Sequence, residues 1–128
     1  MKLRFDPESP IIVVTPTLIG TNDRRKKIDM ALDTGATYTM IPWDIAEVLG
    51  YMPELSKERV ELITASGVEK APLITLSSMY ILDKKAKNVK AVVHDLPPKS
   101  YVDGLLGLSF LRNFEIRLDF RNGMLEID

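Results

Sequence analysis

The stretch Met30-Ala31-Leu32-Asp33-Thr34-Gly35-Ala36-Thr37 carries an apolar run straight into an acid, a hydroxyl and a glycine. Ending a strand on a carboxylate, then on a residue with no side chain, is one way to hold an acid rigidly over a cleft, because glycine lets backbone approach closely. The plainer alternative is an ordinary strand-to-turn exit with a solvated aspartate. Composition alone yields Asp-Thr-Gly in about 2% of chains this long, so the triplet must be read with its surroundings.

Those surroundings are mostly strand-like. Ile11 to Val14, Thr17 to Ile19, Ile28 to Leu32, Val60 to Ile63, Leu73 to Leu76, Met79 to Leu82 and Val89 to Val93 are short runs rich in Ile, Val and Leu. Turn-forming clusters separate them at Gly20 to Asp23, Ala65 to Gly67, Asp83 to Lys85, Pro97 to Lys99 and Arg121 to Gly123. Asn122-Gly123, between Ile116 to Phe120 and Met124 to Ile127, predicts a terminal hairpin with a type I′ turn. Pro42 to Gly50 predicts a short amphipathic helix opened by proline and stopped by glycine, with Ile45, Val48 and Leu49 on one face. A second, barely two-turn helix is expected over Gly107 to Phe114, with Phe110, Leu111 and Phe114 on its apolar side.

Composition narrows the chemistry. The 128 residues amount to one domain, large enough to bury a core unaided. A formal net charge of −1 gives no electrostatic argument for nucleic acid or an anionic membrane. With no cysteine and a single histidine, His94, disulfides, thiol nucleophiles and Cys or His-rich metal sites lack their residues, so no metal and no cofactor are expected. No leader-like or membrane-spanning apolar run is present, and a soluble, cytoplasmic protein is expected. The serine-nucleophile, P-loop and dinucleotide motifs are absent too. Carboxylates, hydroxyls and lysines remain.

Farther along, Val102-Asp103-Gly104-Leu105-Leu106-Gly107-Leu108 places two apolar residues before a glycine and then the second helix. Taken together, Ala31-Leu32-Asp33-Thr34-Gly35-Ala36 and Leu105-Leu106-Gly107 resemble the retropepsin-like aspartic proteases, which pair a catalytic Asp-Thr/Ser-Gly loop with a later hydrophobic-hydrophobic-Gly element. The resemblance extends from about Ile11 to the C-terminus and is greatest to single-domain, bacterial-type members. It implies an all-β fold with one or two short helices, a retropepsin-like acid-protease closed β-barrel. One domain would span residues 1–128, with its core over about 11–128.

The resemblance also assigns roles. Asp33, Thr34 and Gly35 would be catalytic, with Asp33 as acid or base, Thr34 fixing the loops by hydrogen bonds and Gly35 admitting close backbone approach. Ala36, Thr37 and Leu106 would contact substrate, as would Thr64, Ala65, Ser66 and Gly67 at the tip of a covering hairpin. Retroviral members often have an acid where Thr37 stands, and their flaps hold more glycine, so a stiffer or shorter lid is expected here. Hydrolysis by carboxylates needs one ionised and one protonated group, about 3 Å apart and sharing a proton. This chain has a single Asp-Thr-Gly, and Asp103-Gly104 lacks the hydroxyl residue, so Asp103 reads as a loop residue. A two-fold homodimer would bring two Asp33 side chains together. The expected partners are therefore a second copy and a peptide or protein substrate, with no nucleic acid and no membrane. A catalytically silent dimerisation or peptide-binding module on the same fold is the competing reading.

Other candidates are weaker. His94 precedes Asp95, but neighbouring strand residues point to opposite faces, so His94 reads as an ordinary loop-edge residue. Arg24 to Lys27 and Lys84 to Lys90 read as solvated hairpin tips.

Overall fold

The computed structural model describes residues 1–128. Strands β1 (Lys2–Arg4), β2 (Val13–Val14), β3 (Thr17–Ile19), β4 (Arg25–Lys27), β5 (Met30–Leu32) and β6 (Thr39–Ile41) precede helix α1 (Trp43–Val48). Strands β7 (Arg59–Thr64), β8 (Gly67–Ile81), β9 (Lys84–Val93) and β10 (Gly104–Leu106) lead to helix α2 (Leu108–Leu111), followed by β11 (Ile116–Asp119) and β12 (Met124–Ile127). Most of the chain's strands belong to a nine-stranded sheet in the order β2-β5-β10-β6-β9-β8-β3-β4, with β7 paired to β8. The expected mainly-β architecture with two short helices is present. Its sheet is a curled half-barrel, since the end strands β2 and β4 do not pair with each other.

At the centre of this sheet, β10 lies parallel to β5, with Leu105 opposite Ala31, and antiparallel to β6, with Leu105 also opposite Met40. The strand leading into Asp33 is thus locked to the strand leading into Gly107. Phe110, Leu18, Met30, Ile41, Leu49, Leu76 and Leu106 are among the fully buried side chains beneath it. Truncating one such large residue typically costs about 2–5 kcal/mol.

Two runs that serines separate in the sequence form one 15-residue strand, β8. The serines coincide with a gap in the ladder: Leu76 pairs with Val89 and Ser78 with Lys87, while Asn88 sits at φ 54 between them. Ser77 turns its N–H to the Tyr51 hydroxyl (3.1 Å) and its own hydroxyl to the Gly20 carbonyl (3.0 Å), so the interruption is satisfied without a turn. β8 also changes partners along its length. Through Pro72 it pairs with β7; from Leu73 it pairs with β9. Proline has no N–H to give the ladder at that changeover.

Helix α1 begins after Pro42, which is its N-cap rather than its first helical residue. Proline has no capping side chain, and Asp95 supplies the acceptor from a distance, taking the Trp43 N–H at 3.0 Å. The buried face is Ile45, Ala46 and Leu49; Val48, expected there, is 54% exposed. The basic clusters are not hairpin tips. Arg25 to Lys27 form the edge strand β4, and Lys84 to Lys90 lie within β9, where Ala86 and Val89 alternate inward and the lysines outward. The tip itself is Leu82-Asp83, with Leu82 at φ 51.

The terminal strands form a separate three-stranded sheet in the order β1-β12-β11 within the one chain. The expected terminal hairpin is there, but its turn is not type I′. Asp119 pairs with Met124 across a four-residue loop, and only Gly123 (φ 68) has positive φ. The Asp119 carboxylate takes over part of the turn, accepting the Asn122 backbone N–H (3.0 Å) and side-chain amide (2.8 Å). A Cβ at residue 123 would also lie 2.1 Å from the Phe5 carbonyl oxygen, so glycine is needed for space as well as for conformation.

Candidate active site

Asp33 stands at the end of β5, where the strand gives way to a turn. Its backbone N–H donates to the Leu106 carbonyl (2.9 Å), and its own carbonyl accepts from Ala36 N–H (3.2 Å). The side chain folds back on the turn, Oδ1 accepting the Gly35 N–H at 2.9 Å. A Cβ on Gly35 would sit 3.2 Å from that oxygen, so the glycine makes room for the carboxylate of its own loop. Oδ2 has no hydrogen-bond partner within the chain, nor does the hydroxyl of the exposed Thr34.

The loop from Asp33 to Tyr38 is gripped from behind by the Gly107 segment. Leu108 N–H donates to the Ala36 carbonyl (2.8 Å) and Ser109 N–H to the Thr37 carbonyl (3.0 Å). A Cβ at residue 107 would lie 2.6 Å from the Tyr38 carbonyl oxygen and 2.7 Å from that of Ala36. This contact is the physical reason for a glycine after Leu105-Leu106.

Beneath the same junction lies a hydroxyl pair that the sequence reading did not single out. Thr39, fully buried, accepts the Gly107 N–H at Oγ1 (3.2 Å), and its hydroxyl pairs with Ser109 Oγ at 3.0 Å. Ser109 Oγ also lies 2.7 Å from the Lys90 carbonyl and accepts the Thr39 N–H at 2.8 Å. Strands β6, β9 and β10 and helix α2 meet at these two side chains. Neither belongs to a local motif, and their sequence separation of 70 hides the pairing.

The covering hairpin is β7–β8. Thr64 pairs with Gly67, leaving Ala65-Ser66 as a two-residue tip. The single positive φ is at Gly67 (+125), and Thr64 Oγ1 donates to the Gly67 carbonyl at 3.0 Å. Near the tip, Ile63 is 90% exposed and Val68 63%, an apolar pair directly across the ladder.

Inside the hairpin runs a groove of about 620 Å³. Thr64, Ala65 and Ser66 line it, along with Met40 and Leu105 from the central strands. Ala36, Thr37 and Gly67 are not among its walls. Leu106 departs furthest from expectation: it is fully buried, and it serves the site through its carbonyl on Asp33 N–H rather than through a side chain in the groove.

His94 belongs to the groove as well. Its Nε2 lies 2.9 Å from Glu69 Oε2 on the hairpin arm, tying β8 to the segment after β9. The adjacent Asp95 is instead the cap of α1. A partner 25 positions away cannot be read from a His-Asp dipeptide.

The Asp-Thr-Gly loop is thus locked to a second strand, while the groove under the hairpin takes its walls from the neighbouring strands, with Asp33, Thr34 and Gly35 not among them. A family model described as "gag-polyprotein putative aspartyl protease" matches residues 20–113, and the chain belongs to this retropepsin-like aspartic protease family. Among solved structures, the chain is similar to a retropepsin-like aspartic protease from Rickettsia conorii. The two share 27% identity and a TM-score of 0.74, over 99% of this chain and 88% of the other. No curated protein sequence matches the chain significantly. No helix is long and apolar enough to cross a membrane.

Proposed function

We propose that the protein is an aspartic endopeptidase that works as a homodimer, with the two Asp33 carboxylates meeting at the two-fold axis. The observation that carries this reading is the state of the loop: Gly35 N–H orients Oδ1, while Oδ2 and the Thr34 hydroxyl are unengaged within the chain. Family membership supplies the class of chemistry.

In this mechanism one Asp33 is ionised and takes a proton from the attacking water. The other is protonated and donates to the scissile carbonyl oxygen, giving a tetrahedral diol with no acyl-enzyme. Proton transfer to the departing amine then releases the two products. The titration belongs to the pair, because two carboxyls about 3 Å apart share one proton. Thr34 hydroxyls would link the two loops, and Gly35 would admit substrate and partner backbone. Ala36, Thr37 and the hairpin tip from Thr64 to Gly67 would flank an extended peptide, with the hairpin adding main-chain hydrogen bonds. Exposed Ile63 and Val68 suit an apolar peptide.

The test pairs cleavage of a diverse peptide library between pH 3 and 7 with sedimentation. Cleavage by a dimer, inhibition by pepstatin-like transition-state mimics and loss of activity in a folded Asp33→Asn variant are expected. A dimer that cleaves nothing leaves the silent binding module as the reading. A monomer with full peptidase activity overturns the shared dyad.

A further inference from the structure

We infer that the cavity between the terminal sheet and the curled sheet binds an aliphatic carboxylate, its head at Thr17, Lys27 and Arg4 and its tail among the apolar walls. The inference is independent of the peptidase reading, since none of these residues belongs to the Asp33 loop or the hairpin. It comes from a buried hydroxyl without a partner, two cations without an acid and an apolar cavity of ligand size.

The cavity measures about 500 Å³, within the roughly 300–1,000 Å³ of small-molecule sites. Leu3, Phe5 and Leu125 wall it on the side of the terminal sheet, and Val14 and Ile81 on the side of the curled sheet. Such sites combine mostly apolar walls with a few placed polar groups.

Here strand register places the polar groups. Thr17 lies opposite Lys27 on one side and opposite Tyr80 on the other, so the three side chains share a face, with neighbouring Cβ atoms about 4.5–5.5 Å apart. All three line the cavity. Thr17 is only 7% exposed, and its hydroxyl bonds to no group of the chain. No fully sealed side-chain oxygen lacks a partner, however, so the little surface that Thr17 keeps includes this hydroxyl. β3 is paired along both edges and its Leu18 points into the core, which leaves the cavity as the space the hydroxyl opens on. A hydroxyl so placed has lost most of its hydration and gains a bond only when a ligand brings one.

Arg4 and Lys27 are the charged residues of the walls, with no acid among them, and neither joins an ion pair. Lys27 also borders the adjoining depression, without pairing to its Asp44, Glu47, Asp95 or Asp103. Asp29, which is not a wall residue, accepts the Thr15 hydroxyl at 2.9 Å. The Tyr80 hydroxyl accepts from Arg25 at 3.1 Å, which brings a third cation near, although Asp23 shares that one at 3.1 Å. One anionic head can thus take a hydrogen bond from Thr17 and charge from Lys27 and Arg4, whereas an ammonium head meets like charge. A peptide suits the floor less well. β3 and β8 are paired on both edges there, so its amides would be buried without main-chain partners.

Calorimetric titration with octanoate, decanoate and dodecanoate, each below its micelle concentration, tests the inference. Affinity should rise by up to about fourfold per added methylene until the cavity is filled. Decanoate should bind about tenfold or more tightly than decanol or decyltrimethylammonium. It should shift the amide resonances of Thr17, Lys27, Tyr80 and Leu125 and leave those of Met40 and Leu105, in the hairpin groove, unmoved. Thr17→Val should weaken binding about tenfold, and Arg4→Glu or Lys27→Glu about fivefold or more. Lys57→Glu, the same charge change outside the cavity, should leave it unchanged. The chain-length and head-group comparisons use the wild type, so they decide even where a variant fails to fold. No binding at any chain length, equal binding of decanol, or shifts confined to the hairpin groove overturns the site, whatever the peptidase assay gives. A short apolar peptide with a free carboxylate that binds there more tightly than decanoate overturns the aliphatic ligand in favour of a peptide.

Discussion

Replacing Gly107 by alanine tests the central idea that the glycine exists to let α2 seat against the Asp33 loop. The added methyl would lie 2.6 Å from the Tyr38 carbonyl oxygen, 2.7 Å from that of Ala36 and 2.8 Å from the Tyr38 carbonyl carbon. Ordinary contact begins near 3.4 Å, so this backbone must retreat by about 0.8 Å. No flexible side chain can absorb the shift, because every near atom is main chain. Forcing an extra methyl into such a contact costs about 1–3 kcal/mol. That falls within the total stability of about 5–15 kcal/mol usual for a domain, so the variant still folds. The shift does not stay local, however. Leu108 and Ser109 hold the Ala36 and Thr37 carbonyls, and displacement of that loop carries Asp33 with it. Misplacing a catalytic group by about 1 Å can cost about a hundredfold in rate. Urea denaturation and peptide hydrolysis measured on the same preparation check both effects. Gly107→Ala with unchanged midpoint and turnover would refute the reasoning.

Three further outcomes are expected. Thr39→Val keeps the shape but strips the buried Gly107 N–H and Ser109 hydroxyl of a partner; equilibrium unfolding should show a loss of about 1–3 kcal/mol. Asp119 is held below the ordinary aspartate value of 3.8 by the Asn122 side-chain amide and then its backbone N–H. A depressed folded-state pKa stabilises above the unfolded value and is lost as pH falls through the folded one, so thermal midpoints should drop below about pH 4, less steeply in Asn122→Ala. His94→Ala removes the tie to Glu69 and should speed amide hydrogen exchange across residues 59–72, leaving β10 unaffected; equal exchange in both proteins would show that the tie does not restrain the hairpin.

The strands were legible because their hydrophobic runs are short and β-branched, and the Asp33 and Gly107 elements were legible because each is a contiguous motif. Where the reading failed, a distant group had intervened. Ser77 stands between two apolar runs that form one strand, because Tyr51 and Gly20 satisfy its polar groups within it. Asn122-Gly123 promised a two-residue turn until the Asp119 carboxylate bonded Asn122 and widened the loop. The lysines of β9 resembled a solvated tip because their alternation with Ala86 and Val89 is outweighed by charge. The groove was least legible, since its walls come from β6, the hairpin and the segment after β9, which only the folded sheet brings together.

The change of partner along β8 has a mechanical consequence. Beyond Pro72 the strand is clamped between β9 and β3, while the Ser56 hydroxyl fastens the Leu73 carbonyl at 2.7 Å and Leu73 N–H holds the Glu58 carbonyl at 2.9 Å. Before Pro72 it has β7 alone. The hairpin is therefore a cantilever built into the wall of the half-barrel. It can bend at its root without any other strand of the sheet unpairing, and its stiffness is set where it is anchored rather than at its tip.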